Sequence, residues 1–299
     1  MEVQADRELA TLLVDVEKSV GRALRTGRLD DLEVLGYGEI SCVLAIESKQ
    51  AAWAVKRLPL FESEEAFRAY REVFFDYLQA LSNAGVVPVD STLQVVSSEE
   101  PGIQVYCVQP LLDARRLGPA YLKTCSFDEG LRFLEEIVAA TASAVDPRLG
   151  LDAQLSNWVQ TDEGLRYLDV TTPMLREEDG TPRLDTGLFV AALPWAVRAL
   201  ADALLVDQIL EQYHDRRCAL LDLAANLHKE RLQDWIPPLL ELANQYVSDA
   251  ITEEECSAYY RRDARMWSAL LLLRRLDRTW QHHIRRRPYP FLLPGSIER

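Results

Sequence analysis

Histidine is scarce in this chain, with four in 299 residues. His214, His228, His282 and His283 lack HExxH spacing, and no cysteine cluster completes a zinc site. Cysteine is sparse too: Cys42, Cys107, Cys125, Cys218 and Cys256 are odd in number and never fall in CxxC spacing. A disulfide framework and a metal knuckle are thereby disfavoured, and five reduced, mostly buried thiols are expected. No GxSxG elbow is present for serine hydrolysis. The longest unbroken apolar run, Leu188 to Leu193, is far too short to span a bilayer. The opening residues include acids and no apolar signal core, so a cytoplasmic protein is expected. Basic charge is outnumbered, 33 against 47, and the net charge of -14 argues against general nucleic-acid binding.

What is present is enough apolar sequence, 48%, to bury a core in one large domain or two lobes. Residues 8–26 carry Leu9, Leu12, Leu13, Val16, Val20 and Leu24 at helical spacing, an amphipathic opening helix. Short β-type runs follow at 32–35, 42–46 and 52–58, the first two separated by Gly36-Tyr37-Gly38. Ser63, with Glu64 and Glu65 behind it, starts a helix whose apolar face is Phe67, Tyr70, Phe74, Tyr77, Leu78 and Leu81. Strands are expected at 92–96 and 103–108. Ser126-Phe-Asp-Glu129 forms a capping box for a helix reaching Ala144. A hairpin is expected across Thr161-Asp-Glu-Gly164. From Leu188 to Trp280 the pattern is helical, interrupted near Asp215, Pro237-Pro238 and Asp249. The fold class is α+β, divided into an opening helix over 1–30, a small antiparallel-sheet lobe over 31–110 and a mostly helical lobe over 111–299.

Four signals carry chemistry. Gly36 and Gly38 would let backbone N–H groups approach phosphates, although a plain hairpin turn reads the same way. Lys56 shares a strand face with Ala54; it would meet phosphate as a point charge or simply reach solvent. Asp152 and Asn157 lie five residues apart in an irregular loop, and Asp169 follows the hairpin. One carboxylate and one amide oxygen suit magnesium when phosphate oxygens complete its shell; local Asx turns are the plain alternative.

Together these residues resemble the protein-kinase-like superfamily, especially its aminoglycoside and choline phosphotransferase branch. Gly36-Tyr-Gly38-Glu-Ile-Ser41 is similar to the glycine-rich loop, with Ser41 at the third glycine position. Ala54-Val55-Lys56 is similar to the end of the Val-Ala-Ile-Lys strand, Asp152 to Asn157 matches the D-x-x-x-x-N spacing, and Leu168-Asp169 resembles the Asp-Phe-Gly position. The resemblance covers residues 31 to 175. It implies a two-lobed kinase-like fold and an ATP- and magnesium-dependent phosphotransferase acting on a small hydroxyl- or amino-bearing molecule. In that reading Asp152 is the catalytic base, Asn157 and Asp169 bind magnesium, and Gly36, Gly38, Ser41 and Lys56 bind ATP. Glu72 is nominated to pair with Lys56, with Glu65 as the alternative.

The sequence departs from the pattern at Gly150, where the family has histidine, and at Thr171, where it has glycine. No Ala-Pro-Glu motif follows. A pseudokinase, binding nucleotide or a partner without turnover, is therefore the alternative. The arginines at 261, 262, 265, 274, 275, 278 and 285–287 form a solvated basic face or a docking patch for an acidic partner. The acids Glu177, Glu178, Asp179 and Asp185 form a solvated loop or attract a cationic acceptor.

Overall fold

The computed structural model describes residues 2–37, 42–98, 101–185, 187, 210–285 and 289. Gly38 and Ser41, the run 188–193 and nearly all of the closing segment 288–294 lie outside them.

The chain is α+β. Its first part is a five-stranded antiparallel sheet built from β1 (Val34–Tyr37), β2 (Cys42–Glu47), β3 (Ala52–Arg57), β4 (Thr92–Val96) and β5 (Gln104–Pro110), in the order β1-β2-β3-β5-β4. Helix α1 (Glu2–Thr26) covers one face and α2 (Glu64–Asn83) packs on the other. The alternation of strand side chains explains how both faces are filled. On β5, Tyr106 and Val108 join Leu9, Leu13, Val20 and Leu24 of α1, whereas Val105 and Cys107 join Tyr70, Phe74 and Tyr77 of α2. On β3, Trp53 and Val55 face α1, and Arg57 on the same face meets Glu17 of α1.

That meeting is the strongest polar contact between α1 and the sheet. Arg57 donates Nε and a terminal nitrogen to the two Glu17 carboxylate oxygens at 2.9 and 2.8 Å, and the Tyr106 hydroxyl donates to the same carboxylate at 2.7 Å. The Glu17 side chain is 7% exposed and that of Arg57 12%. Bidentate geometry and a third donor are what a buried pair needs to offset its desolvation.

Helix α2 begins as its cap chemistry requires. Ser63 Oγ accepts the Ala66 N–H at 3.1 Å, with Glu64 and Glu65 in the first turn. After α3 (Gly118–Thr124), the Ser126–Glu129 capping box opens α4 (Phe127–Ala144). The hairpin of β6 (Trp158–Thr161) and β7 (Gly164–Tyr167) follows. Helices α5 (Arg216–Lys229), α6 (Ile236–Ala243) and α7 (Glu253–Trp280) complete the described core. The main hydrophobic cluster joins α2, α4, the hairpin, α5 and α6.

The interruption expected near Pro237-Pro238 falls between α5 and α6, and the prolines open α6 because a missing N–H costs nothing in a first turn. One expectation needs correction. The arginine-rich stretch is not uniformly solvated: Arg274 is 3% exposed, its Nε reaching the Tyr289 hydroxyl at 3.5 Å. The acidic loop is solvated as expected, Glu177 and Glu178 staying exposed where they meet Arg183 at 3.4 Å and Arg148 at 3.7 Å. The five cysteines are free, three of them buried. Among the described residues no helix is long and apolar enough to cross a membrane.

Candidate functional site

The site is assembled from β3, the 149–157 loop and the segment leaving β7. Lys56 stands on the face of β3 opposite Trp53, Val55 and Arg57, and its ammonium donates to Asp169 Oδ1 at 3.0 Å. The two residues are 113 positions apart, so this contact comes from the fold rather than from local chain geometry. Both side chains are largely covered, 21% and 26% exposed. Burial works to raise the Asp169 carboxyl, but the Lys56 charge and hydrogen bond, with Thr171, outweigh it and hold the group below the usual carboxylate range.

The hairpin brings Asn157 beside Asp169. Trp158 pairs with Tyr167, and the Leu168 N–H donates to the Asn157 carbonyl at 2.8 Å, so Asp169 is the next residue along. The Asn157 side-chain nitrogen donates to the Asp152 carbonyl at 3.1 Å. That bond turns the amide so that its oxygen is the atom left to offer a cation, and an amide and a carboxylate oxygen are both hard donors. The donor set therefore fits magnesium supplemented by phosphate oxygens. Among the described residues no group of three or more His, Cys, Asp or Glu could hold a metal alone.

The Asp152 backbone is fixed independently of its carboxylate. Its carbonyl also accepts the Tyr167 hydroxyl at 3.1 Å, while Asp152 Oδ1 accepts the Gln154 N–H, an Asx turn. Helix α2 holds both segments through two tyrosines two turns apart. Tyr70 donates to the Thr171 carbonyl and Tyr77 to the Gly150 carbonyl, each at 3.0 Å.

The remaining expected residues fall elsewhere or are less constrained. Glu72 is exposed on α2, as is Glu65, whereas the interior face carries Tyr70, Val73, Phe74, Tyr77 and Leu81. Glu72 lies two residues from both Tyr70 and Phe74, roughly 160° around the helix, so it points away from the interior face, and the ion pair described for Lys56 is with Asp169. Gly36 pairs with Val43 beside a register irregularity in β1, and an added Cβ there would meet nothing within 4 Å. Packing does not require glycine at that position; the open space is what it contributes.

Two residues beneath the loop carried no recognised signal in the sequence. His214 packs against Gly150. Asp222 on α5 is 8% exposed, beside Tyr259 and Gln154. Burial first, then the charge of Asp263, pushes the Asp222 carboxyl up to about 6. A carboxyl raised on folding favours the native state below its unfolded value, and this advantage is lost as pH rises through the folded value. Asp222→Asn is therefore expected to gain stability over wild type as pH climbs from about 4 to about 6, with no gain at lower pH. Chemical unfolding across that range measures the difference.

No curated protein matches the chain. A family profile does, over residues 15–278, enclosing β3, the 149–157 loop and Asp169 together; the chain belongs to the group described as Family of unknown function (DUF6206).

Proposed function

We propose that the chain is a kinase-like phosphotransferase that uses ATP and magnesium to phosphorylate a small hydroxyl- or amino-bearing molecule. The observation that carries this reading is the 3.0 Å contact of Lys56 with Asp169, which unites a strand cation and a post-hairpin carboxylate at one end of the sheet. Lys56 would neutralise nucleotide phosphate as a point charge, and Gly36, with Gly38 and Ser41, would admit the phosphates near β1. Asp152 would accept the acceptor's proton as its oxygen or nitrogen bonds to the γ-phosphorus and the bond to ADP breaks. Asn157 and Asp169 would hold magnesium, which supplies charge neutralisation across the phosphates when bound. Two lobes, a sheet lobe and a helical lobe meeting at this cleft, follow from the same reading. Free thiols support a cytoplasmic setting.

A second reading, a kinase-like binding module without turnover, is favoured by the outward Glu72. A thermal-shift titration paired with an ATP-consumption assay separates the two readings. Ligand that binds only the folded state raises apparent stability by mass action. The enzyme is expected to be stabilised by millimolar ATP in a magnesium-dependent way and to consume ATP once an acceptor is found. No shift at millimolar ATP would overturn the nucleotide site and leave the arginine-rich end of the chain as the surface to examine for partners.

A further inference from the structure

Gly150 is buried two residues before Asp152, and the space that its missing side chain leaves is already filled. A Cβ at this position would lie 2.9 Å from His214 Cε1, 3.0 Å from His214 Nε2 and 2.9 Å from Met174 Cβ. The imidazole comes from the short turn Gln212–His214, on a stretch of chain separate from the loop. The same turn grips the loop by its backbone: the Leu151 N–H donates to the Tyr213 carbonyl at 3.1 Å. On the opposite side the Gly150 N–H donates to the Met174 carbonyl at 2.8 Å, and its carbonyl accepts Tyr77.

His214 is 7% exposed, and Nδ1 lies 3.0 Å from the Leu210 carbonyl, which places the proton on that nitrogen. Nε2 is buried with no hydrogen-bond partner among the described residues. Burial first, joined by the charge of Arg176, lowers the ring's basicity. The ring is thus neutral and oriented from behind, with its Cε1–Nε2 edge laid on Gly150.

Glycine is the residue with the most backbone freedom to lose. Removing the imidazole would return that freedom to the position from which the Asp152 backbone departs. We propose that His214 is a positioning residue for Asp152, a side chain lent to the loop by the Gln212–His214 turn that fixes Gly150 and so aims the carboxylate. The inference rests on the phosphotransferase reading for its catalytic meaning, but the hold on the loop is measurable without turnover.

The test compares His214→Ala, Gly150→His and the double variant Gly150→His/His214→Ala with wild type. Two readouts are used: amide hydrogen exchange across 149–155, and the kcat and KM of magnesium-ATP turnover. His214→Ala is expected to speed exchange in 149–155 by roughly tenfold or more, leaving the sheet unchanged, since local opening need not follow global stability. Its kcat should fall about 10- to 100-fold with KM for ATP nearly constant, the signature of a misplaced catalytic group. Gly150→His alone collides with the resident ring and with Met174 Cβ and should be less stable, whereas the double variant, which keeps only the Met174 contact, should recover part of the protection and kcat lost in Gly150→His.

Exchange that is unchanged, or raised evenly over the whole chain, would overturn the proposal and leave His214 as ordinary packing. A selective rise in exchange with unaltered kcat would also overturn it, by showing a held loop that does not aim Asp152. Wild type that is neither stabilised by magnesium-ATP nor able to turn it over would refute the phosphotransferase reading and with it the catalytic part. The exchange pattern would still distinguish that failure from loss of the His214 contact.

Discussion

Asp169→Asn is expected to abolish magnesium-dependent stabilisation by ATP and to lower turnover roughly a thousandfold or more, because a bound metal supplies several kcal/mol of charge stabilisation. The substitution is close to isosteric and removes one negative charge. In the free protein it also removes the ion pair with Lys56 at 3.0 Å, whose partners are 21% and 26% exposed. Pairs that water still reaches contribute little, about 1 kcal/mol or less, and an asparagine oxygen can still accept from Lys56. The fold should therefore survive, with an unfolding midpoint near that of wild type. Nucleotide binding that persists without magnesium in the variant would be consistent with Lys56 acting on phosphate directly. A variant that turns over at the wild-type rate would sink the assignment of Asp169. Thermal-shift titration with and without magnesium, beside an ATP-consumption assay, gives both results.

The second large effect concerns stability alone. Glu17→Ala is expected to destabilise the protein by about 3–5 kcal/mol, the cost of stranding a buried charge. Arg57 gives two hydrogen bonds to this carboxylate and Tyr106 a third, inside a contact where the Glu17 side chain is only 7% exposed. The midpoint of thermal unfolding should fall by roughly 5–8 °C. Arg57→Ala should do nearly the same, and the double variant less than the sum, because the two residues act as one unit. A change near zero for Glu17→Ala would mean that the apolar stripe of α1 holds the helix to the sheet unaided. Scanning calorimetry on the three variants decides it.

Much of this was legible wherever the physics is local. Ser63 and Ser126 announced α2 and α4 because a cap oxygen and the N–H that donates to it lie within three residues. The stripe Phe67, Tyr70, Phe74, Tyr77, Leu81 gave the buried face of α2, and taken alone it places Glu72 outside; the family resemblance pulled the other way. Lys56, Asp152, Asn157 and Asp169 were nominated by spacing, and the structure brings Lys56 to Asp169 and Asn157 beside Asp169. What stayed hidden depends on distant segments meeting. Nothing in the order of residues joins His214 to Gly150, or Asp222 to Gln154. Glu17 did leave a trace, a carboxylate set among Leu13, Val16 and Val20 on the apolar side of α1, but its partner Arg57 could be identified only by folding the sheet.

Lys56 and Arg57 are consecutive residues, and each is tied by a carboxylate on a different side of the sheet, Asp169 on one and Glu17 on the other. A strand that slips by a single residue exchanges its two faces. Such a slip of β3 would carry the lysine under α1 and turn the arginine toward Asp169, breaking both ion pairs at once. The N-terminal helix thus acts at a distance on the chemistry of the site: by fixing which side Arg57 must face, it leaves Lys56 only one side to occupy.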